Sequence, residues 1–188
     1  MSNLENFISE IKKNDLARSN RFEVEFFSPV SSTTLGQTIS VLCEDAAIPG
    51  LLVPYSPIKI GNWTEPRVHG VEFFGDNATF TFYCDTKWNV RQYFEDWMFT
   101  ATDPTSKEVG FYDQYVGSVI VHTLNRQDKI EKSWTLIEAV PRNISLTPVS
   151  QGNESIARVS ISLAYKLWQP GALGVTNNIS SPAISITA

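Results

Sequence analysis

Histidine is the side chain best suited to bind a metal ion or to move a proton near neutral pH, and this sequence contains two, His69 and His122. Neither belongs to an HxH, HxxxH or HExxH pattern, which would present two ring nitrogens to one ion. We interpret both histidines as residues of a surface or a strand face. Their spacing therefore indicates neither a metal site nor a catalytic base.

Two pairs of adjacent acids, Glu44–Asp45 and Glu95–Asp96, are the next candidates for chemistry. Neighbouring residues of a strand or helix point in different directions, so the two carboxylates of a pair cannot face each other across a substrate. The sequence also lacks the GxGxxG, GxxxxGK[ST] and GxSxG patterns of phosphate-binding loops and nucleophile elbows. We expect a protein that is not an enzyme and that has no cofactor, catalytic residue or metal.

Cys43 and Cys84 have no CxxC spacing and predict neither a zinc site nor a redox pair. We expect both to be reduced and to pack as small apolar residues. The charged segment Met1–Lys13 does not resemble a signal peptide, and no apolar run approaches the roughly 20 residues of a membrane span. We therefore expect folding in the cytoplasm and no membrane partner.

The 188 residues, of which 42% are hydrophobic and 12% aromatic, suffice for one domain with a packed core. The formal net charge of -5 argues against a protein that grips nucleic acid, because phosphate neutralisation requires clustered Lys and Arg. We assign residues 1–170 to one domain. Residues 171–188, rich in Gly, Asn, Ser and Thr, are interpreted as an extended or flexible tail.

Two segments carry apolar residues at the spacing of an amphipathic helix. The first predicts a short helix over residues 3 to about 16, whose apolar stripe we expect to dock on its own domain rather than on a neighbour. The second follows a possible cap at Asp85 or Thr86 and predicts the best-defined helix, packed across a sheet. The two stripes consist of Leu4, Phe7, Ile8 and Ile11, and of Val90, Tyr93, Phe94, Trp97 and Met98.

Most of the remaining chain alternates apolar and polar residues, which is typical of half-buried strands. The pattern predicts a mainly β (α+β) protein, an antiparallel β-sandwich or barrel of about seven to nine strands with one packed helix and a short N-terminal helix. We expect the longest strand to be the last. The clearest predicted strands are Arg21–Phe26, Thr38–Cys43, Val68–Phe74, Ala78–Cys84, 115–125, 129–139 and Ala157–Leu167.

Residues 48–67 are apolar but carry three prolines, Pro54, Pro57 and Pro66. Proline cannot donate to a sheet ladder, so we interpret this segment as an extended arm or hairpin at a sheet edge. Exposed apolar and aromatic side chains on such an arm are typical of a binding surface. We predict that it is a contact surface, formed by Leu51, Leu52, Val53, Tyr55, Ile58, Ile60 and Trp63.

The order of these features resembles the major tail tube proteins of contractile-tailed bacteriophages over about residues 3 to 168. No single motif is specific, but the order and spacing of four segments together are similar to that family. The segments are Asp15–Val24 after the first helix, Cys43 to Ile48-Pro49-Gly50, the helix Asn89–Trp97, and the closing strand that ends Tyr165-Lys166-Leu167-Trp168.

The resemblance implies a structural virion protein whose hexameric rings stack into the hollow tail tube through which DNA passes. It implies that the arm reaches toward the adjacent ring. The implied partners are copies of the chain itself together with sheath, baseplate and tape-measure proteins, and DNA would pass without specific binding. The implied location is the virion tail tube, after assembly in the host cytoplasm.

Two departures from the simplest family pattern, the tail after Pro170 and the loop over residues 101–113, leave a second reading open. In it the chain forms a single ring that initiates or terminates the tube at the baseplate or tail end. A third reading is a carbohydrate-binding β-sandwich, motivated by Trp63, Trp88 and Trp134.

Overall fold

The computed structural model describes residues 3–14, 16–30, 39–73, 78–145, 147–150, 152 and 155–171. The helices of these ranges are α1 (Asn3–Asn14), α2 (Asn89–Ala101) and α3 (Tyr112–Tyr115), and residues 39–41 form a helical turn. The strands are β1 (Phe22–Phe27), β2 (Cys43–Ala46), β3 (Leu51–Leu52), β4 (Tyr55–Ile60), β5 (Trp63–Val68), β6 (Glu72–Phe73), β7 (Ala78–Tyr83), β8 (Gly117–Leu124), β9 (Ile130–Ile144), β10 (Arg158–Ala164) and β11 (Leu167–Gly171).

Seven of these strands form one antiparallel sheet in the order β1-β8-β9-β10-β7-β2, with β11 also paired to β9. The sheet folds into two layers because β9 belongs to both. Its first part, Ile130–Ala139, pairs with β8 and β11, and its last part, Val140–Ile144, pairs with β10. We call β1, β8, the first part of β9 and β11 the first layer. The last part of β9 with β10, β7 and β2 is the second layer.

The chain crosses between the layers at Glu138. This residue is skipped in the pairing of β9 with β8 and has a positive φ of 53°, which marks a β-bulge. Its carboxylate accepts hydrogen bonds from the Tyr112 hydroxyl and from Lys166 Nζ, the latter at 2.9 Å. The Tyr112 hydrogen bond, followed by Lys166, lowers the pKa of the Glu138 carboxyl, and the same carboxylate raises the pKa of Tyr112 to about 12. These contacts hold the bulge at the bend.

The core lies between the layers and is closed by α2. Phe26 of the first layer contacts Phe80 and Phe82 of the second, with ring centroids 5.6 and 5.7 Å apart, and Phe94 of α2 contacts both layers. The sandwich with one packed helix is therefore confirmed. The buried apolar residues are Val24, Phe26, Ile39, Ala78, Phe80, Phe82, Val90, Tyr93, Phe94, Trp97, Val119, Val121, Leu136, Ala139, Val159, Ile161, Leu163 and Tyr165.

The helix α2 begins at Asn89, later than the predicted cap at Asp85 or Thr86, and its N-cap residue is Trp88, with a φ of 58° and no side-chain cap hydrogen bond. Asp85 nevertheless contacts the first turn. The Asp85 carboxylate accepts a hydrogen bond from the backbone N–H of Asn89 at 2.8 Å and one from the Asn89 side chain at 2.6 Å. It thereby satisfies one of the N–H groups that a helix leaves without an internal partner. Val90, Tyr93, Phe94 and Trp97 are buried, so the predicted stripe faces the core.

Gly117 allows this packing at the start of β8. A Cβ atom at this position would lie 2.4 Å from the Phe27 carbonyl oxygen and 2.6 Å from Trp97 Cζ2. Because neither neighbour is a flexible chain end, we expect Gly117→Ala to lower the free energy of unfolding by about 1 to 3 kcal/mol in urea denaturation. Gly152→Ala, with nothing within 4 Å of the new Cβ, is the control. Equal stability of the two variants would contradict the prediction.

Several predicted strand boundaries are wrong. The described part of Thr38–Cys43 begins with the helical turn at 39–41, and the strand starts only at Cys43. Val68–Phe74 is divided, since Val68 ends β5 and the chain pairs again only at Glu72. The last strand breaks at Tyr165 and Lys166, opposite the Glu138 bulge, so the longest strand is β9.

The length of β9 has an identifiable cause. The predicted strand over residues 129–139 stops before Pro141, but β9 continues to Ile144, because Pro141 aligns with Leu163 beside a register shift, where a proline is tolerated within a sheet.

The N-terminal helix is the other correction. The structure has α1 over Asn3–Asn14, but Leu4 and Phe7 on its apolar stripe are 65% and 59% exposed. The expected docking of this stripe on its own domain is therefore wrong. The predicted tail over residues 171–188 lies outside the described residues except for Gly171, which ends β11.

Candidate assembly surface

The predicted arm is a β-hairpin that projects from the second layer. The chain leaves the edge strand β2, runs through the short β3–β6 pair and the hairpin of β4 and β5, and returns as β7 next to β2. At the base of the hairpin, the His69 N–H donates to the Pro54 carbonyl at 3.3 Å. Trp168 Nε1 of β11 donates to the Gly50 carbonyl at 2.8 Å, which ties the start of the arm to the domain.

The hairpin is held by its own pairing rather than by the core. β4 and β5 pair in register from Tyr55 opposite Val68 to Ile60 opposite Trp63. Gly61 starts the two-residue turn with a φ of 61°, the conformation that a type II′ turn requires at its first central position. Side chains alternate along each strand, so both faces of the ribbon carry apolar residues.

Pro57 and Pro66 lie directly opposite each other in this ribbon. Neither can donate a hydrogen bond to the ladder, so the pair is compatible only with a non-hydrogen-bonded position, where the missing N–H groups would point outward. The outer edges of the hairpin therefore have fewer donors for pairing with further strands. The arm is suited to contact through side chains more than through strand addition.

The structure brings the predicted contact residues together and leaves them uncovered. Leu51, Leu52 and Val53 lie at the arm base, and Tyr55 and Trp63 on the hairpin are 65% and 72% exposed. Single exposed apolar residues are ordinary, but a contiguous set on a projection is typical of an interaction surface. The structure adds exposed residues that the prediction omitted, namely Ile48, Val68 and Val71.

A second exposed apolar patch surrounds the loop after α2. The loop is ordered by hydrogen bonds, including one from Thr105 N–H to Asp103 Oδ1 at 2.7 Å and one from Gly110 N–H to the Ala101 carbonyl at 3.0 Å. Phe111 beside it is 79% exposed. The sequence analysis noted this loop, residues 101–113, only as a departure from the simplest family pattern. The other exposed members are Phe99, Val109 and Tyr112.

The second layer also has open edges. Among the described residues, β2 pairs only with β7, and Val140–Ile144 pairs only with β10 on that stretch. An unpaired strand edge presents N–H and C=O groups that can accept a strand from another chain. The layer can therefore continue into a neighbouring copy on both sides.

The residues considered for chemistry are spread over separate parts of the fold. His122 is buried in β8, where its Nδ1 lies 2.7 Å from Ser133 Oγ, whereas His69 is exposed at the arm base. Burial raises the pKa of the Cys43 thiol to about 12, which keeps it protonated. Among the described residues, no group of three His, Cys, Asp or Glu side chains could hold a metal ion.

The three tryptophans of the carbohydrate-binding reading lie on different elements. Trp63 is at the arm tip, Trp88 precedes α2 and Trp134 lies in β9, where Lys132 Nζ is 5.4 Å from its ring centroid. No helix in the described part of the chain is long and apolar enough to span a membrane.

Comparison with solved structures finds the same fold in particle proteins. A chain in the cryo-EM structure of the anti-feeding prophage baseplate superimposes with a TM-score of 0.58 at 14% identity, covering 85% of this chain and 98% of the other. A chain of an extracellular contractile injection system, described as the sheath/tube terminator in the extended state, gives 0.62 at 11% identity, covering 84% and 97%. A chain of the sheath-tube complex of such a system gives 0.59 at 12% identity, covering 88% and 97%.

Comparison of the sequence with curated proteins finds no match. A family model described as "Phage tail tube protein" matches residues 17–170, most of the chain and nearly all of the region for which we noted the resemblance. The match includes the arm, both layers and α2. This chain belongs to the phage tail tube protein family, and it is a structural component of a virion or particle.

Proposed function

We propose that this protein forms hexameric rings that stack into the hollow tail tube through which DNA passes. The observation that carries the proposal is the apolar hairpin, which is exposed on both faces and whose base is tied by hydrogen bonds of Gly50 and Pro54. Such a projection requires a partner surface, and a contact between different surfaces of identical chains generates a closed ring or an open stack.

The open edges of the second layer support the ring. In a closed ring every copy meets two neighbours, and β2 and the last part of β9 lie at opposite edges of one layer. Pairing β2 of one copy with β9 of the next would join the layers into a continuous sheet without free edges. The hairpin, which leaves the same layer beside β2, would then reach the adjacent ring.

The same proposal gives the partners and the location. We propose that sheath, baseplate and tape-measure proteins contact this chain in the virion tail, after assembly in the host cytoplasm. The fold is shared with chains of a sheath-tube complex and of a sheath/tube terminator, which supports a place in such a particle.

The test is electron microscopy of the purified protein over a range of concentrations. Rings and tubes of uniform width that become more abundant with concentration are expected. A protein that stays monomeric at high concentration, with no ring in any preparation, would exclude the proposal. Rings that never grow into tubes, but seed tubes of a second protein, would instead support the initiator or terminator.

A further inference from the structure

The outer face of the second layer has an unusual composition. Along β7 and β10 the residues that point away from the core are mainly hydroxylated, and they face each other in register. Ser160 pairs with Thr81 and Ser162 pairs with Thr79, and the first pair is joined by a hydrogen bond of 3.2 Å. We call this surface the hydroxyl face. It consists of Thr79, Thr81, Tyr83, Ser160 and Ser162, with Asn143 in the last part of β9 and Ser145 just after it.

The cross-strand pairs between β7 and β10 on this face include one cationic residue, Arg158, which lies opposite Tyr83. Its Nε donates to Glu44 Oε2 at 2.6 Å, and its guanidinium carbon lies 5.2 Å from the centroid of the Tyr83 ring. The Tyr83 hydroxyl donates to the other Glu44 oxygen at 2.7 Å. Both carboxylate oxygens and the guanidinium are thus used within one cluster, and the positive charge is locally balanced.

The cluster favours its charged form. The hydrogen bond from Tyr83, followed by the contacts with Arg158, lowers the pKa of the Glu44 carboxyl, and the contacts with Tyr83 and Glu44 raise the pKa of Arg158. Two further charged residues lie nearby. Asp45 is exposed opposite Thr81, and Arg142 occupies the bulge of β9, where it is itself engaged in a contact.

The outer face of the first layer differs in kind. Its cross-strand pairs include apolar side chains, of which Phe27 is exposed and Ile120 and Ile137 are half-buried. The acids Glu23 and Glu25 lie on the same face. Covering exposed apolar side chains with a partner surface lowers the free energy. The hydroxyl face has no such gain and is suited to remain in contact with water.

We propose that the hydroxyl face lines the channel of the assembled tube and that Glu44 prevents Arg158 from binding the phosphates of the passing DNA. This inference rests on the proposed function. The hairpin that would join successive rings leaves the second layer between β2 and β7, so the wall made by this layer continues from ring to ring.

The physical reason is the strength of arginine–phosphate contacts. Affinity for DNA comes mainly from Lys and Arg that neutralise phosphates, and it grows with the number of such contacts. A free arginine on this face would be repeated in every subunit of every ring and would act along the whole DNA path. A paired arginine beside hydroxyl groups presents little net charge, so DNA can move past it.

The location is tested by cysteine labelling of assembled tubes. The Thr79→Cys variant should react with a small maleimide in monomers and tubes, but with a maleimide coupled to a large protein only in monomers. The Gln92→Cys variant, on the exposed side of α2, should react with both reagents in sheath-free tubes, and wild-type protein measures the background from Cys43 and Cys84. Labelling of Thr79→Cys tubes by the large reagent would overturn the inference.

The role of Glu44 is tested by the rate of DNA release from triggered particles, followed with a DNA-binding dye. Particles with Glu44→Gln should release DNA several-fold more slowly than wild type, and the difference should shrink as salt rises. The double variant Glu44→Gln/Arg158→Gln should return to the wild-type rate. Release at the wild-type rate from Glu44→Gln particles would overturn the proposal.

A second variant tests the same inference if particles with Glu44→Gln do not assemble. Thr79→Arg adds an unpaired arginine to the same face and leaves the cluster intact, and it should slow release in the same salt-dependent way. Normal release from Thr79→Arg particles would overturn the inference. Failure of the proposed function appears separately, as the absence of tubes from the wild-type protein.

Discussion

Replacing Trp97 by alanine is expected to lower the free energy of unfolding by about 3 to 5 kcal/mol. Trp97 is 0% exposed, and its ring stacks on Phe94 with centroids 6.4 Å apart. Its Nε1 donates to the Tyr115 carbonyl at 2.7 Å, so truncation creates a cavity and leaves a carbonyl without its donor. Urea denaturation followed by circular dichroism, at concentrations that keep the protein monomeric, measures the change.

Trp63→Ala is the matched control, because this tryptophan is 72% exposed on the hairpin. Its effect on the free energy of unfolding of the monomer should stay within about 0.5 kcal/mol. A similar loss of stability in both variants would mean that the hairpin contributes to the folding of the domain. A small effect of Trp97→Ala would instead contradict the central place of α2 in the core.

Removal of the hairpin is expected to abolish stacking and to leave the monomer folded. The deletion variant replaces Tyr55–Val68 by a short turn between Pro54 and His69. These two residues are already joined by a backbone hydrogen bond of 3.3 Å. The deleted strands contribute no member to the buried core, so the urea midpoint of the monomer should change little. Electron microscopy should show rings or monomers but no tubes.

A milder variant separates side-chain contacts from the length of the arm. Ile60→Ser/Trp63→Ser changes one cross-strand pair near the tip and retains the hairpin, so tubes should form only at higher protein concentration than wild type. Full-length tubes from the deletion variant would show that stacking does not depend on the hairpin. Unfolding of that variant would show that our interpretation of the arm as an appendage is wrong.

Local patterns predicted much of the fold. The 3.6-residue period places the side of α2 that carries Phe94 and Trp97 against the core, and the two-residue period places Phe80 and Phe82 inward on β7. The prolines of residues 48–67 predicted an extended arm or hairpin at a sheet edge, because a missing N–H is a property of the residue itself. The candidate surface could be found for the same reason, since apolar residues on an edge hairpin have no core to enter.

Long-range contacts decided what local patterns could not. The predicted strand 129–139 ends before Pro141, but a register shift against β10 accommodates this proline, and that accommodation depends on a partner distant in the sequence. The bend at Glu138 uses side chains from α3 and from the segment between β10 and β11. Apolar spacing alone also fails to say where a stripe docks, which is why α1 was expected on its own domain and is found exposed.

The sequence by itself determined the mainly β class, the packed helix and the apolar arm, because each follows from residue types and short-range spacing, and the order of these segments along the chain indicated the family. Only the tertiary structure decided which strands share a layer, where β9 bends and that Glu44 meets Arg158 and Tyr83. These three residues are far apart in the chain and become neighbours only when β2, β7 and β10 pair. A charge balanced in this way is a property of the pairing and not of any segment of the sequence.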